Sequence, residues 1–258
     1  MPITVTDLVA RLRAAGCVFA EEEAALLRAE ARTDAELDAL VARRVAGEPL
    51  EQVLGWAEFY GLRVRLEPGV FVPRRRTELV VTVAVRLLPR DRLPVVVDLC
   101  CGTGAIGLAV AAGVPELELH AADLDPAAVR CAQRNLASTG QVHQGDLFDA
   151  LPDCLRGRVD VLAVNTPYVP TDAIASMPPE ARDHEARTAL DGGPDGLALA
   201  RRVAAEAAAW LVEGGSVVVE TSEQQAPVLA GVFTGHGLTA RVVTDDDVDA
   251  TVVVGRRD

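Results

Sequence analysis

Residues 95–107 of the chain read VVVDLCCGTGAIG. The run of valines predicts a strand buried on both faces, and the glycines after it predict an abrupt turn into a helix. Gly102, Gly104 and Gly107 have the spacing G-x-G-x-x-G, which lets a backbone pass close beneath a nucleotide at a helix N-terminus. Alone, this spacing is a weak signal, because a tight strand-to-helix turn also favours glycine. The stretch therefore predicts the start of a doubly wound sheet, and other residues must decide the ligand.

Strands and helices alternate after this stretch. We predict strands over 117–123, 141–145, 159–164 and 216–220, and helices that begin at Asp125-Pro126 and near residue 197. Such alternation predicts a mostly parallel sheet with helices on both faces. The final stretch LTARVVTDDDVDATVVVGRR, residues 238–257, instead predicts two strands joined by an acidic turn. A terminal antiparallel hairpin distinguishes the methyltransferase variant of this fold from the nicotinamide-binding one.

Three features favour S-adenosyl-L-methionine (SAM) as the ligand. Asp98 precedes the glycines in the form D-L-x-x-G-x-G, the usual first motif of class I methyltransferases, and the terminal hairpin agrees with it. Asp146 follows the third strand and can meet an adenine amino group. Asp123 does not discriminate, because it can bind ribose hydroxyls in either an NAD or a SAM enzyme. We predict an α/β, class I SAM-dependent methyltransferase fold with a seven-stranded, mostly parallel sheet, a terminal antiparallel hairpin and a small N-terminal helical domain. The residues predicted to bind SAM are Asp98, Cys100, Gly102, Thr103, Gly104, Asp123, Leu124, Asp146, Leu147 and Asn165.

The chain before the sheet predicts helices and a linker. Leu8, Val9 and Leu12 share one helix face, and Thr33-Asp34-Ala35-Glu36 is a capping-box pattern that begins another helix. We assign residues 1–48 to an N-terminal helical domain, 49–75 to a linker with a β-hairpin, and 76–258 to the methyltransferase domain. The hairpin turn is predicted at Glu67-Pro68-Gly69, and the helical domain is expected to have little core of its own.

Residues 159–172 read VDVLAVNTPYVPTD, a buried strand that ends in Asn-Thr-Pro-Tyr. In open α/β sheets, ligands bind beyond the carboxyl ends of the strands, so Asn165 is predicted beside the methyl group of the cofactor. Its side-chain oxygen and the carbonyl of Thr166 can each accept one hydrogen of an incoming NH2 group, and Tyr168 can pack on a flat amide. A simple turn is the alternative, but it does not explain the coincidence with the glycine loop. The predicted catalytic residues are Asn165, Thr166, Pro167 and Tyr168.

Composition argues against several classes of protein. The net charge of −13 argues against a protein that binds nucleic acid through a basic face. The five cysteines form no C-x-x-C pair and no cluster with histidine, which fits reduced thiols and predicts no metal site. The sequence shows no signal-peptide pattern and no apolar run of about 18 residues. We therefore expect a cytoplasmic protein with no membrane contact, and the acidic charge weighs against a nucleic-acid partner without excluding one.

The sequence resembles the N(5)-glutamine methyltransferases of the HemK/PrmC type, which modify the Gly-Gly-Gln glutamine of peptide-chain release factors. The likeness covers nearly the whole chain. It rests on AGEPLEQVLGWAEFYGLRVRLEPGVFVPRRRTE (46–78), DLCCGTGAIGLA (98–109), NTPY (165–168), HEARTALDGGPDGL (184–197) and VVVETSEQQ (217–225). The resemblance implies methyl transfer from SAM to a glutamine side-chain amide nitrogen of a protein, with a release factor as the partner.

Departures from the family pattern favour a divergent paralogue. Thr166 stands where the family usually has proline, but it keeps the backbone carbonyl, so we expect reduced preorganisation rather than a dead site. Arg74, Arg75 and Arg76 form a basic loop where the family commonly has an acid, and we predict that they bind an acidic group of the substrate or of SAM. A solvated basic loop is the alternative. The helical N-terminal segment is also shorter than usual.

Other functions stay open at this point. A methyltransferase of the same fold can act on an amino group of a small molecule or a nucleic-acid base. A relic that binds SAM without catalysis would be unaffected by Asn165→Ala. A nicotinamide oxidoreductase would bind NAD tightly and fail to bind SAM.

Overall fold

The structure, a computed structural model, describes residues 4–114 and 116–258. Its helices are α1 (Val5–Ala14), α2 (Ala20–Glu30), α3 (Asp34–Val45), α4 (Leu50–Leu54), α5 (Glu78–Leu87), α6 (Ala105–Gly113), α7 (Pro126–Asn135), α8 (Pro179–His184), α9 (Ala198–Trp210) and α10 (Ala226–Gly235). Its strands are β1 (Trp56–Phe59), β2 (Leu62–Arg65), β3 (Val95–Leu99), β4 (Glu118–Asp123), β5 (Gln141–Gln144), β6 (Val159–Val164), β7 (Leu211–Thr221), β8 (Thr239–Asp245) and β9 (Ala250–Arg256). No helix within these residues has both the length and the hydropathy to cross a membrane.

The seven strands β3 to β9 form one sheet, in which they lie in the order β5-β4-β3-β6-β7-β9-β8. The first five strands in this order, β5-β4-β3-β6-β7, pair in parallel. β9 is antiparallel to both of its neighbours, β7 and β8. The predicted fold class, including the terminal hairpin, is therefore confirmed. The strand predicted over 159–164 has the predicted bounds, and the helix predicted after the glycines spans Ala105–Gly113.

Helices cover both faces of the sheet, and the strands are accordingly apolar on both sides. Val97 and Leu162 pack on the side of α9 and α10, where Trp210 and Phe233 are fully buried. Val96 contributes to the other side, with α5, α6 and α7. Two covered faces require a nearly continuous apolar run, and VDVLAV is such a run apart from Asp160, whose buried carboxylate accepts hydrogen bonds from Arg92 and Val95 N.

The N-terminal helices have an apolar core of their own, so the expectation of little core was wrong. Leu8, Leu12, Leu27 and Val41 are fully buried in this cluster. Helix α4, which was not predicted, adds to this core, because its residues Val53 and Leu54 are buried in the same cluster. The predicted cap is present: the Thr33 hydroxyl accepts a hydrogen bond from Glu36 N at 3.1 Å.

The linker hairpin turns earlier than predicted. β1 and β2 pair from Trp56↔Arg65 to Phe59↔Leu62, which leaves Tyr60 and Gly61 as a two-residue turn. Both have positive φ, 52° and 74°, as the tight turn of a twisted hairpin requires. Pro68 and Gly69 form a separate turn, closed by a hydrogen bond from Val70 N to Glu67 O. The alternating Leu62–Leu66 pattern is therefore the second strand of the hairpin, not the first.

Two neighbouring strands bring the predicted motifs together. β3 and β6 pair in parallel up to Leu99↔Val164, so the glycine loop after β3 and Asn165 after β6 leave the same edge of the sheet side by side. On the other side of β6, Val164 pairs with Val219 near the end of β7. The carboxyl ends of these three strands frame the candidate site.

Candidate active site

A cleft of about 860 Å³ opens at the carboxyl ends of the strands. This volume lies in the upper part of the range of roughly 300–1,000 Å³ that is usual for ligand sites. Its walls come from the linker, the glycine loop, the ends of β4 and β6, and the segment after β6. The cleft is thus a meeting place of segments far apart in the chain.

The glycine loop adopts the backbone that its sequence predicts. Cys100, Gly102 and Gly104 have φ values of 58°, 55° and 74°, in the left-handed region that glycine tolerates at least cost. A Cβ at Gly104 would come within 3.0 Å of Leu136, whereas one at Gly102 would meet no atom within 4 Å. Gly104 therefore allows close packing against α7, and Gly102 leaves room on the cleft side of the loop.

Asp98 supports this loop from beneath. Its side chain is fully buried, and its Oδ2 accepts a hydrogen bond from Gly107 N at 2.9 Å. Its Oδ1 has no hydrogen-bond partner among the described residues. Burial raises the pKa of Asp98 to about 8. Asp98 does not line the cleft, so we now propose that it acts on the cofactor only by holding the loop.

Two further carboxylates face the cleft. Asp123 Oδ2 accepts a hydrogen bond from Gly102 N at 2.8 Å, and its Oδ1 accepts one from Asp125 N at 2.9 Å. These bonds fix the carboxylate at the rim, while burial raises its pKa. Asp146 lies nearby and accepts a hydrogen bond from Arg202 Nη2 at 2.9 Å. Both acids keep lone pairs with which to accept hydrogen bonds from a ligand.

Asn165 lies at the carboxyl end of β6, and a hydrogen bond orients its side-chain amide. Its Nδ2 donates to the Thr77 hydroxyl at 3.3 Å. Its Oδ1 has no partner among the described residues, and neither does the carbonyl oxygen of Thr166. Both residues line the cleft, so two acceptors are available to an incoming NH2 group. The Thr166 hydroxyl, by contrast, is buried and has no hydrogen-bond partner within residues 4–114 and 116–258.

Tyr168 is tied to the interior through its hydroxyl. The hydroxyl donates to Glu220 Oε1 at 3.0 Å, and Glu220 is buried at the end of β7. Burial, followed by the charge of Glu220, raises the pKa of Tyr168. Burial likewise raises the pKa of Glu220, against the opposing effects of Thr77, Tyr168, Arg76 and Arg74. The Tyr168 ring is therefore held at a fixed depth in the cleft wall.

The loop DGGPDGL, residues 191–197, supports the backbone of the Asn-Thr-Pro-Tyr motif. Gly192 N donates to Val169 O at 2.9 Å, and a Cβ at Gly192 would lie 2.6 Å from Pro167 O. Gln225 Nε2 donates to both Tyr168 O and Asp195 O at 2.9 Å. The glycines of this loop are required because two backbones approach each other closely.

The three arginines of the basic loop have different environments. Arg74 Nη2 donates to Glu185 Oε1 at 2.6 Å, and the Glu185 side chain is fully buried. Arg75 is exposed and does not line the cleft. Arg76 lines the cleft and makes no ion pair with any residue that the structure describes. Only Arg76 is therefore placed to offer its charge to a ligand.

Most of the predicted site residues meet in the cleft. Those that line it are Arg74, Arg76, Cys100, Gly102, Thr103, Asp123, Leu124, Asp146, Leu147, Asn165, Thr166, Pro167 and Tyr168. Those that do not are Arg75, Asp98 and Gly104. Sequence reasoning missed Thr77 and Glu220, which contact the motif from distant parts of the chain. The signal that could have found Glu220 is an acid at the end of an otherwise apolar strand, SVVVE.

A glycine loop and an Asn-Thr-Pro-Tyr motif at the carboxyl ends of neighbouring parallel strands place the chain in the class of α/β methyltransferases. The model of the methyltransferase small domain family matches residues 61–193. A release factor glutamine methyltransferase of Streptomyces coelicolor is 42% identical over 228 residues, which cover 83% of this chain and 81% of the relative. The chain belongs to the release factor glutamine methyltransferase family, as its sequence predicts.

One further relative and one solved structure are also similar to the chain. A 4-amino-L-phenylalanine/4-methylamino-L-phenylalanine methyltransferase of Streptomyces pristinaespiralis is 36% identical over 203 residues, which cover 76% of this chain and 69% of the relative. The crystal structure of a methyltransferase from Pyrococcus furiosus superposes with a TM-score of 0.58 at 16% identity. The match covers 84% of this chain and 96% of that one. The latter shows the fold alone.

The family implies S-adenosyl-L-methionine as the cofactor, in agreement with the prediction. The residues present fit it. The glycine loop offers an open backbone at Gly102, and Asp123 and Asp146 offer carboxylate acceptors for hydroxyl and amino groups. Asp98 lies beneath this loop: one oxygen accepts from Gly107 N, and the other has no partner in the described part of the chain.

Proposed function

We propose that the chain methylates the side-chain amide nitrogen of a glutamine in a peptide-chain release factor. Family membership supports the reaction, and the free acceptors Asn165 Oδ1 and Thr166 O support the choice of a planar NH2 group. We place the reaction in the cytoplasm, which the five free cysteines support. The observation that carries the proposal is the orientation of the Asn165 amide, whose nitrogen is bound to Thr77.

The chemistry needs orientation more than acid–base catalysis. SAM supplies a methyl group on a positively charged sulfur. An amide nitrogen is a poor nucleophile because its lone pair is delocalised, so holding it in line with the methyl group is the main task, an effect of about 7–11 kcal/mol when geometry is ideal. Asn165 Oδ1 and Thr166 O accept the two N–H hydrogens and so stabilise the positive charge that develops on nitrogen. The proton lost from nitrogen can pass to water.

The test is intact-mass spectrometry of a purified release factor after incubation with the protein and SAM. We expect one added methyl group, mapped to the Gly-Gly-Gln glutamine. Asn165→Ala should lower the rate at least about 100-fold, because it removes an acceptor on which the transition state depends. Calorimetry of SAM binding to the variant is the control. An unmodified release factor in the presence of a SAM-loaded wild-type protein would refute the acceptor.

A small-molecule amine is the second candidate. The relative from Streptomyces pristinaespiralis is named for an amino acid that carries an aromatic amine, and Arg76 places a positive charge in the cleft where an amino acid carboxylate could bind. Methylation of 4-amino-L-phenylalanine, lost in Arg76→Ala, with no methylation of the release factor, would favour it.

A further inference from the structure

Thr103 in the glycine loop has a backbone carbonyl that the helix after the loop does not satisfy. In a regular helix this carbonyl would accept a hydrogen bond from Gly107 N, four residues further on. Gly107 N instead donates to Asp98 Oδ2 at 2.9 Å. Within residues 4–114 and 116–258, no backbone N–H donates to Thr103 O. Thr103 is 2% exposed, so its carbonyl needs a partner from another part of the chain.

The side chain of Asn135 supplies that partner. Asn135 is the last residue of α7, and its Nδ2 donates to Thr103 O at 2.9 Å. The end of α7 also packs on the loop beside this bond, because a Cβ at Gly104 would come within 3.0 Å of Leu136. Thr103 and the adjacent Gly102 line the cleft, whereas Asn135 does not. Asn135 therefore acts on the cleft from behind the glycine loop.

The same amide also binds the linker hairpin. Residue pairs in an antiparallel hairpin alternate between hydrogen-bonded and non-hydrogen-bonded. Counted from the turn-closing pair Phe59↔Leu62, Arg65 belongs to the fourth pair, so its N–H and C=O face the outer side of β2. Asn135 Oδ1 accepts from Arg65 N at 3.0 Å, and Asn135 Nδ2 donates to Arg65 O at 2.9 Å. Asn135 thus pairs with the free edge of the hairpin as a further strand would.

These three hydrogen bonds fix the Asn135 amide in one orientation. Both hydrogens of its NH2 group are bound to carbonyl oxygens, and its oxygen accepts from an N–H. A reversed amide would place its oxygen against two carbonyls and its NH2 group against an N–H. The amide therefore holds the hairpin and the glycine loop in a fixed relative position.

We propose that Asn135 is a positioning residue for the cofactor, which keeps the glycine loop in the conformation that binds SAM and joins this loop to the linker hairpin. Without Asn135, Thr103 O can recover a hydrogen bond only from water, and the loop must leave its place to reach water. SAM then has to restore the loop on binding, so its apparent affinity falls with the fraction of molecules whose loop is competent. Cofactor binding does not depend on the identity of the methyl acceptor, so this inference stands apart from the proposed function.

The first test is calorimetry of SAM binding to Asn135→Asp. This variant has nearly the same shape and keeps the acceptor for Arg65 N, but it places an oxygen against the two carbonyls. We expect Kd for SAM to rise about 10-fold or more, the effect of a buried carbonyl without its partner. At saturating SAM, kcat for the release factor should stay within about twofold of the wild type, because the bound cofactor restores the loop.

A matched control is available in the same helix. Gln133→Glu makes the same change from amide to carboxylate at an exposed position of α7 and should leave Kd unchanged. A wild-type Kd in Asn135→Asp would overturn the inference, even with a loss of thermal stability, because the role of Asn135 would then be structural. An equal rise of Kd in Gln133→Glu would also overturn it. If the wild type binds SAM but leaves the release factor unmodified, the proposed function fails, and Kd still decides the inference.

The second test is made on the wild-type side chain and so holds even if Asn135→Asp fails to fold. The chain contains two asparagines, Asn135 and Asn165, so 15N labelling of asparagine gives two side-chain NH2 groups, which Asn165→Ala assigns. Both hydrogens of the Asn135 NH2 are bound, whereas Thr77 is the single acceptor for Asn165 Nδ2 among the described residues. Without SAM, we expect the Asn135 NH2 to exchange with water more slowly than that of Asn165. Equal or faster exchange at Asn135 would refute the inference.

Discussion

At the scale of single residues, Asp98 is a carboxyl group held where ionisation is costly. Burial raises its pKa to about 8, whereas in an unfolded chain an aspartate titrates near 4. Between about pH 4 and about pH 8 the folded state therefore binds more protons than the unfolded state. The free energy of unfolding falls as pH rises through this window and becomes level above it.

Asp98→Asn should remove this penalty, because the amide oxygen can still accept the hydrogen bond from Gly107 N. We expect the variant to be more stable than the wild type at neutral pH. The difference should grow by up to about 1.4 kcal/mol per pH unit inside the window. Urea unfolding at several pH values measures it, with the exposed Asp246→Asn as a control that should show no such slope. A difference that is constant with pH would contradict the account.

At the scale of elements, the loop of residues 191–197 acts as a backing for the Asn-Thr-Pro-Tyr motif. Gly192→Ala would place a methyl group 2.6 Å from both Pro167 O and Gly196 O, so one backbone must move. A shift of about 1 Å in the motif is enough to lower methyl transfer on the order of 100-fold. SAM should still bind, because the glycine loop belongs to another segment.

Gly231 in α10 provides the matched substitution. An added methyl group there meets no atom within 4 Å, and alanine is the better helix former. Gly231→Ala should leave methylation unchanged and raise stability by roughly 0.5–1 kcal/mol. Rates of methylation and thermal unfolding of the two variants give the comparison. Equal activities would show that the loop does not hold the motif.

The sequence predicted those elements whose signals are local. β6 and α6 are almost wholly apolar and are bounded by polar or glycine residues, so both were predicted, and β6 has the predicted bounds. The hairpin turn was misplaced because Pro68-Gly69 is a stronger turn signal in sequence than Tyr60-Gly61, although the register selects the latter. Tertiary pairing, which the local pattern does not contain, made the difference.

The part of the site that the sequence concealed is long-range. Thr77 and Asn165 are 88 positions apart, and Tyr168 and Glu220 are 52 apart. No spacing rule connects such pairs, because only the tertiary fold brings them together. The motifs themselves were readable, since each is a short stretch with its own chemistry.

At the scale of the whole molecule, a buried arginine joins the N-terminal helices to the wall of the cleft. Arg44 binds the Glu23 carboxylate with two hydrogen bonds, of 2.7 Å and 3.1 Å, and donates to Glu180 Oε1 at 2.6 Å. Glu23 is as buried as Arg44, whereas the Glu180 side chain is 52% exposed. The hydrogen bonds to Glu23 raise the pKa of Arg44, so it stays charged.

Substitutions of Arg44 and of Glu180 should lower the free energy of unfolding by different amounts. Arg44→Met strands the Glu23 carboxylate in the interior, and we expect a loss of about 3–5 kcal/mol in unfolding free energy. Glu180→Gln weakens only an exposed pair, so the change should stay within about 1 kcal/mol. Chemical denaturation measures both. Similar losses in the two variants would mean that the Glu180 contact, and not the Glu23 pair, stabilises the helical unit.

The strand order also has a consequence for how the protein is made. β9 lies between β7 and β8, although the ribosome delivers it after both. β8 therefore cannot take its place at the edge until residues 250–256 have emerged and paired with β7. Glu220 pairs with Val252 in that last ladder. A nascent chain thus carries its glycine loop and its Asn-Thr-Pro-Tyr motif for some time before the strand that pairs with Glu220 exists, and the candidate site is completed only after residues 250–256 have been synthesised.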